Sequence, residues 1–164
     1  MGFIREFGGS IVSADDIARE ILADDLIRRE ISQIAGLAGP YDPADLRVKM
    51  ILDPDVRRKV NAFLHPFIWQ RLRNSPANFF EIPLLFETCL QSAYDRVWVV
   101  SCGREQQWKR LHQRYGENEF TQSILDMQLR TEVKVAFADQ IIRTNSSLEA
   151  VRLVVKTMVD ALSA

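Results

Sequence analysis

The sequence predicts an α/β fold, a parallel sheet with helices on both faces. Three observations carry this. Short apolar, β-branched runs recur near residues 11, 80, 98 and 141. Segments with apolar residues at helical spacing separate them. Arg96-Val97-Trp98-Val99-Val100-Ser101 is a near-continuous apolar run of the kind found in strands buried on both faces.

The elements follow in order. Residues 1–8 read as the end of a helix, because Phe3, Ile4 and Phe7 share a face and Gly8-Gly9 stop it. Residues 10–13 form the first strand. Ile17, Ile21, Leu22, Leu26 and Ile27 continue at helical spacing, broken around Asp24-Asp25, and Ile31, Ile34 and Leu37 make a second piece. Gly36, Gly39, Pro40, Asp42 and Pro43 mark a turn-rich connection. Residues 42–52 form a helix with Leu46, Met50 and Ile51 inward. Asp53 caps the next one, with Pro54 at its first position. That helix passes His65 and runs through Ile68 and Leu72; Pro66 either kinks it or opens a new one. Residues 79–82 and 96–101 are strands. Residues 105–115 are a helix, 116–120 a polar turn, and 121–131 a helix with Thr121 as N-cap. Residues 140–143 are the last strand and 148–162 the last helix.

Composition narrows the function. Hydrophobic residues make up 47% of the chain and charged residues 26%, enough for a sizeable core. Lys+Arg 21 nearly balance Asp+Glu 22, leaving a net charge of -1. No global basic field exists, which argues against nucleic acid. No apolar run approaches the roughly 18 residues of a membrane span. The first residues are too short and acidic for a secretory signal. Cys89 and Cys102 lack metal-ligand spacing and read as reduced thiols of a cytoplasmic protein.

Ligands of an open parallel sheet gather at the carboxyl ends of its strands. Asp15 and Asp16 stand there, as do Pro83 to Glu87, Ser101 and Cys102, and Thr144 and Asn145. A neighbouring helix carries Arg104, Lys109, Arg110 and Arg114. A carboxylate, a proline-shaped wall and arginines suit transfer of an anionic group to a hydroxyl, chemistry in which the protein mainly positions groups and neutralises charge. Asp15 equally suits a plain helix cap.

Several motifs occur in one order: Ser13-Ala14-Asp15-x-Ile17-Ala18-Arg19, Leu64-His65-Pro66, Ile82-Pro83-Leu84-Leu85-Phe86-Glu87, Gln107-x-x-Arg110-x-x-x-Arg114, Gln128, and Ala138-Asp139-x-Ile141-Ile142-x-x-Asn145. This series, spread over essentially the whole chain, resembles the dephospho-CoA kinase family. The resemblance implies a P-loop kinase-like core, a helical acceptor-binding region over residues 24–75 and a lid over residues 104–134, within one domain. It implies transfer of the γ-phosphate of ATP, with Mg²⁺, to the ribose 3′-hydroxyl of dephospho-CoA. Asp15 then resembles the catalytic carboxylate, a role worth roughly 10²–10⁴ in rate. Arg19 would hold a substrate phosphate or pair with Asp15, or form a bland surface ion pair. His65 would touch the acceptor, or be a satisfied structural histidine. Pro83, Leu84 and Leu85 would wall the acceptor site, with Glu87 beyond; Leu84, Leu85 and Phe86 equally suit plain core. Arg110 and Arg114 would act as lid cations in the catalysis, helped by Lys134, and Asn145 would lie near the adenine; the alternatives are solvated helix faces and a helix cap. The resemblance assigns no protein metal ligand, and the oligomeric state stays unknown.

The sequence departs from the family at its start. The family opens with an apolar strand and a phosphate loop of the type G-x-x-x-x-G-K-S/T, and neither occurs here. That loop supplies the N–H cradle, a lysine and the Mg²⁺ hydroxyl. Weak ATP binding and crippled transfer are the expectation. The first, central strand would be missing between residues 79–82 and 96–101, a gap of roughly 10 Å with two bare edges. Met1 then reads as an internal methionine of a longer protein. Ser13 and Pro43 stand where the family often has Asp and Arg, and the 23–41 connection looks short. A protein that binds on the CoA side without catalysis, and another small metabolite kinase, remain alternatives.

Overall fold

Capping side chains set most helix boundaries. In the computed structural model, which describes residues 1–39, 41–116, 119–126 and 128–162, Ser13 ends β1 (Ile11–Ser13) and opens α2 (Ala14–Leu22). Its hydroxyl accepts the N–H of Asp16 at 3.4 Å. Asp24 caps α3 (Asp25–Ala35), accepting from Leu26 at 2.8 Å. Asp42 caps α4 (Pro43–Leu52) and Asp53 caps α5 (Pro54–Arg73). Each such cap contributes about 1 kcal/mol. Pro43 and Pro54 occupy first-turn positions, where no N–H is needed. Gly36 stops α3 at φ 63, a left-handed conformation that glycine adopts freely. Pro66 lies inside α5 without ending it. The carbonyl it leaves unbonded belongs to exposed Ala62, where water can serve it.

The chain divides into two compact units, residues 10–82 and residues 1–9 with 83–164. In the first, β1 pairs in parallel with β2 (Phe79–Glu81), Ile11 opposite Phe79 and Ser13 opposite Glu81. Helices α2, α3 and α4 all pack on α5. Their shared core is Ile17, Ile21, Ile31, Ala35, Tyr41, Leu46, Val60, Leu64 and Leu72. These are the positions that helical spacing turns inward.

The second unit holds α1 (Gly2–Glu6), β3 (Trp98–Ser101), α6 (Arg104–Tyr115), α7 (Glu119–Asp126), α8 (Thr131–Ala136), β4 (Gln140–Arg143) and α9 (Leu148–Asp160). Strands β3 and β4 pair in parallel, Trp98 opposite Gln140. Val97, Val99 and Ile142 are buried there, as are Val151, Val155 and Val159 on α9. Helix α1 packs on α9, where Arg152 binds Glu6 and lies 5.2 Å from the Phe7 ring centre.

The α/β class and the parallel pairing stand as the sequence predicts. The strands form two pairs, β1-β2 and β3-β4, with no ladder between β2 and β3 among the described residues. Three local expectations need correction. Val100 is 64% exposed, so β3 is not covered on both faces. Thr121 does not cap a helix; it lies inside α7, fully buried, donating to the Gly116 carbonyl at 2.7 Å. The expected helix over 121–131 gives way to α7 and a separate α8. Pro40 and residues 117–118 of the expected turns lie outside the described residues.

Candidate functional site

In the unit of residues 10–82, two adjacent carboxylates follow β1. Asp16 is bound by Arg19 at 2.9 Å, a surface pair whose side chains are 55% and 76% exposed. The sequence pairs Arg19 with Asp15 or a substrate phosphate; the structure pairs it with Asp16. Asp16 and Arg19 stand three residues apart on α2, a spacing at which side chains meet; Asp15, four residues from Arg19, has an equivalent spacing and is not the partner. Such an exposed pair contributes at most about 1 kcal/mol and releases its arginine easily. Asp15 is exposed and makes no hydrogen bond or ion pair among the described residues. The Ser13–Glu81 register puts Asp15 and Ile82 at the same end of the β1-β2 sheet. His65 lies on the exposed side of α5, next to buried Leu64. Partial desolvation still lowers its pKa from the ordinary histidine value, favouring the neutral ring.

In the unit containing residues 83–164, the loop after Ile82 winds into a helical turn. Thr88 N–H reaches the Leu84 carbonyl at 3.0 Å. Leu90 N–H bonds the Leu85 carbonyl and Cys89 N–H the Phe86 carbonyl, both at 3.1 Å. This is the bond pattern of a Schellman stop, which needs a left-handed residue. Cys89 supplies it at φ 56, where glycine is usual. Pro83 and Leu84 are exposed, Leu85 and Phe86 half-buried. Glu87 turns inward, and its Oε1 binds Lys134 Nζ at 2.7 Å and the Leu129 N–H at 2.8 Å. The two side chains of the pair are only 13% and 15% exposed. Glu87 Oε2 is buried without a hydrogen-bond partner.

Arg110 donates to the Thr144 carbonyl at 3.3 Å, which brings it to the end of β4 beside exposed Asn145. Arg114, one helical turn further, is exposed and lies 5.1 Å from the Tyr115 ring centre. The structure therefore joins Glu87 with Lys134 and Arg110 with the Thr144-Asn145 corner. Two partners escaped sequence reasoning, the Leu129 N–H and the Thr144 carbonyl. Both are backbone groups, which no side-chain motif reveals.

Among the described residues, no group of three His, Cys, Asp or Glu side chains is placed to hold a metal ion, and no helix is long and apolar enough to cross a membrane.

Comparison with known proteins gives one answer. A sequence profile described as dephospho-CoA kinase matches residues 2–150. A dephospho-CoA kinase of Rhizobium meliloti is 29% identical, the match covering 99% of this chain and 90% of the relative. A solved structure of dephospho-CoA kinase from Campylobacter jejuni is 26% identical, with TM-score 0.69, and covers 99% of this chain and 89% of its own. A crystal structure of a Thermus thermophilus protein shares the fold at TM-score 0.80 and 22% identity, covering 99% of this chain and 90% of its own.

Proposed function

The chain belongs to the dephospho-CoA kinase family, a family of transferases, and from that premise we propose that it binds dephospho-CoA and presents the ribose 3′-hydroxyl to the γ-phosphate of ATP. One observation supports the placement of the chemistry. Of the two carboxylates after β1, Asp16 is committed to Arg19, and Asp15 is exposed and unengaged among the described residues. Asp15 is therefore the group proposed to accept or orient the hydroxyl proton. Phosphoryl transfer asks little covalent work of the protein, so holding that oxygen in line is the main contribution. Arg19, held by Asp16 through one nitrogen, turns its remaining donors to a substrate phosphate. His65, with its ring kept neutral, offers a hydrogen bond to the acceptor without competing as a cation. Pro83, Leu84 and Leu85 supply an apolar wall. Arg110 and Arg114 supply cations toward the transferring group through their forked donors. Asn145 takes the nucleotide side.

Mg²⁺ belongs to this reading too. It takes most of its ligands from phosphate and water and needs only one or two carboxylates. Its ligands are then the substrate phosphates and water, and no side chain is assigned to it. When bound, the ion neutralises phosphate charge. The proposed setting is the cytoplasm, with both cysteines as free thiols.

The 164 residues contain no G-x-x-x-x-G-K-S/T segment, so ATP affinity and turnover of this polypeptide are expected to be low. That same observation supports a second reading, a protein that binds dephospho-CoA without phosphorylating it. Calorimetry with dephospho-CoA, and a transfer assay with ATP and Mg²⁺, test both. Binding with slow formation of coenzyme A supports the first reading, and binding with none supports the second. Failure to bind dephospho-CoA overturns both. Asp15→Ala is expected to cut the residual turnover at least about a hundredfold with ATP affinity nearly intact. Near-normal turnover removes Asp15 from the mechanism.

A further inference from the structure

We propose that Glu87 is a positioning residue, whose largely shielded carboxylate fastens the loop carrying the acceptor wall to the point where the segment 104–134 returns to the body of its unit. The proposal rests on the reading of residues 83–85 as that wall. Glu87 Oε1 takes two donors at once, Lys134 Nζ at 2.7 Å and the Leu129 N–H at 2.8 Å. Lys134 stands on α8, and Leu129 lies just before it. Both donors come from the stretch that leads out of α7 and back toward β4. Phe86, the neighbour of Glu87, meets Phe137 at the end of α8 with ring centres 6.5 Å apart. Two consecutive side chains of one loop therefore grip the two ends of one short helix.

This pair differs from the other ion pairs of the described residues. In each of those, both side chains are 39% exposed or more. Glu87 and Lys134 are 15% and 13% exposed, where water screens little. A buried pair gains little net stability over apolar residues of the same size; it sets one arrangement against others. In this arrangement Lys134 and Glu87 do not meet ligand directly. They fix where the wall loop stands relative to the helix that follows the arginine-bearing segment, so that acceptor binding on one is felt by the other.

Hydrogen exchange at the Leu129 amide, with and without dephospho-CoA, tests this in the wild type, Lys134→Met, Lys134→Arg and the double variant Glu87→Leu/Lys134→Met. The wild-type amide is expected to be protected, and more so with ligand. The double variant, which removes the acceptor, is expected to lose at least about tenfold of that protection together with the ligand response, Lys134→Met to lose less, and Lys134→Arg to keep both. The double variant is expected to melt close to the wild type. A double variant that keeps protection and ligand response overturns the proposal, as does an unprotected amide in the wild type. A wild type that fails to bind dephospho-CoA overturns the proposed function, while the ligand-free comparison still decides the fastening.

Discussion

The two units of this chain hide their apolar residues with unequal success. In residues 10–82, helices α2 to α5 close around a continuous core in which Ile31 and Val60 are fully buried. The other unit buries Val97, Val99 and Ile142 in its sheet, yet leaves Val100, Phe137, Leu148 and Leu153 largely exposed, against Leu26 and Leu52 in the helical unit. The difference follows from geometry. Three helices round a central one cover each other's apolar stripes. A two-stranded sheet contacted by α9 and the six-residue α8 has two edges and part of a face still to cover.

The largest test of this contrast is a pair of substitutions. Ile31→Ala is expected to cost about 3 kcal/mol, because the cavity has well-packed walls. Val100→Thr is expected to stay within about 0.5 kcal/mol, since a residue already 64% exposed has little burial to lose. Urea unfolding followed by tryptophan fluorescence measures both. Trp69 reports on the helical unit, and Trp98 and Trp108 report on the other. Comparable losses from the two substitutions would break the comparison.

A smaller gain is expected at Cys89. Glycine there removes a left-handed strain of roughly 1–2 kcal/mol but loosens the unfolded chain, for a net stabilisation of about 0.5–1 kcal/mol. A raised urea midpoint in Cys89→Gly checks it, seen with the probes of the second unit. A lowered midpoint would show that the thiol packs usefully.

The smallest effect concerns pH and the helical unit. Desolvation lowers the folded-state pKa of His65 below its ordinary value of about 6.5. Between those two values the unfolded chain holds a proton that the folded chain does not. Stability therefore declines as pH falls below about 6.5 and levels off beneath the folded-state pKa; above 6.5 the effect vanishes. Partial exposure keeps it small. His65→Gln should flatten this part of the urea-midpoint profile between about pH 7.5 and pH 5. An unchanged profile would assign the slope to other groups.

What the chain declares by itself is what short-range physics decides. Asp24, Asp42, Asp53 and Ser147 cap helices because their side chains reach an N–H two or three residues on. Spacing alone turns Ile17, Ile21, Val60 and Leu64 inward. The order of motifs sufficed to name the family. Other features depend on neighbours distant in sequence. Whether Val100 is covered depends on which elements reach that face of β3. Helix α8 has only six residues, too few for periodicity to announce it. Glu87 finds the Leu129 N–H 42 residues away, a pairing that no spacing rule encodes. Local hydrogen bonds and helical periodicity act over a few residues and can be read in one dimension. Burial and charge pairing depend on what folding brings alongside, so only the tertiary structure decided them.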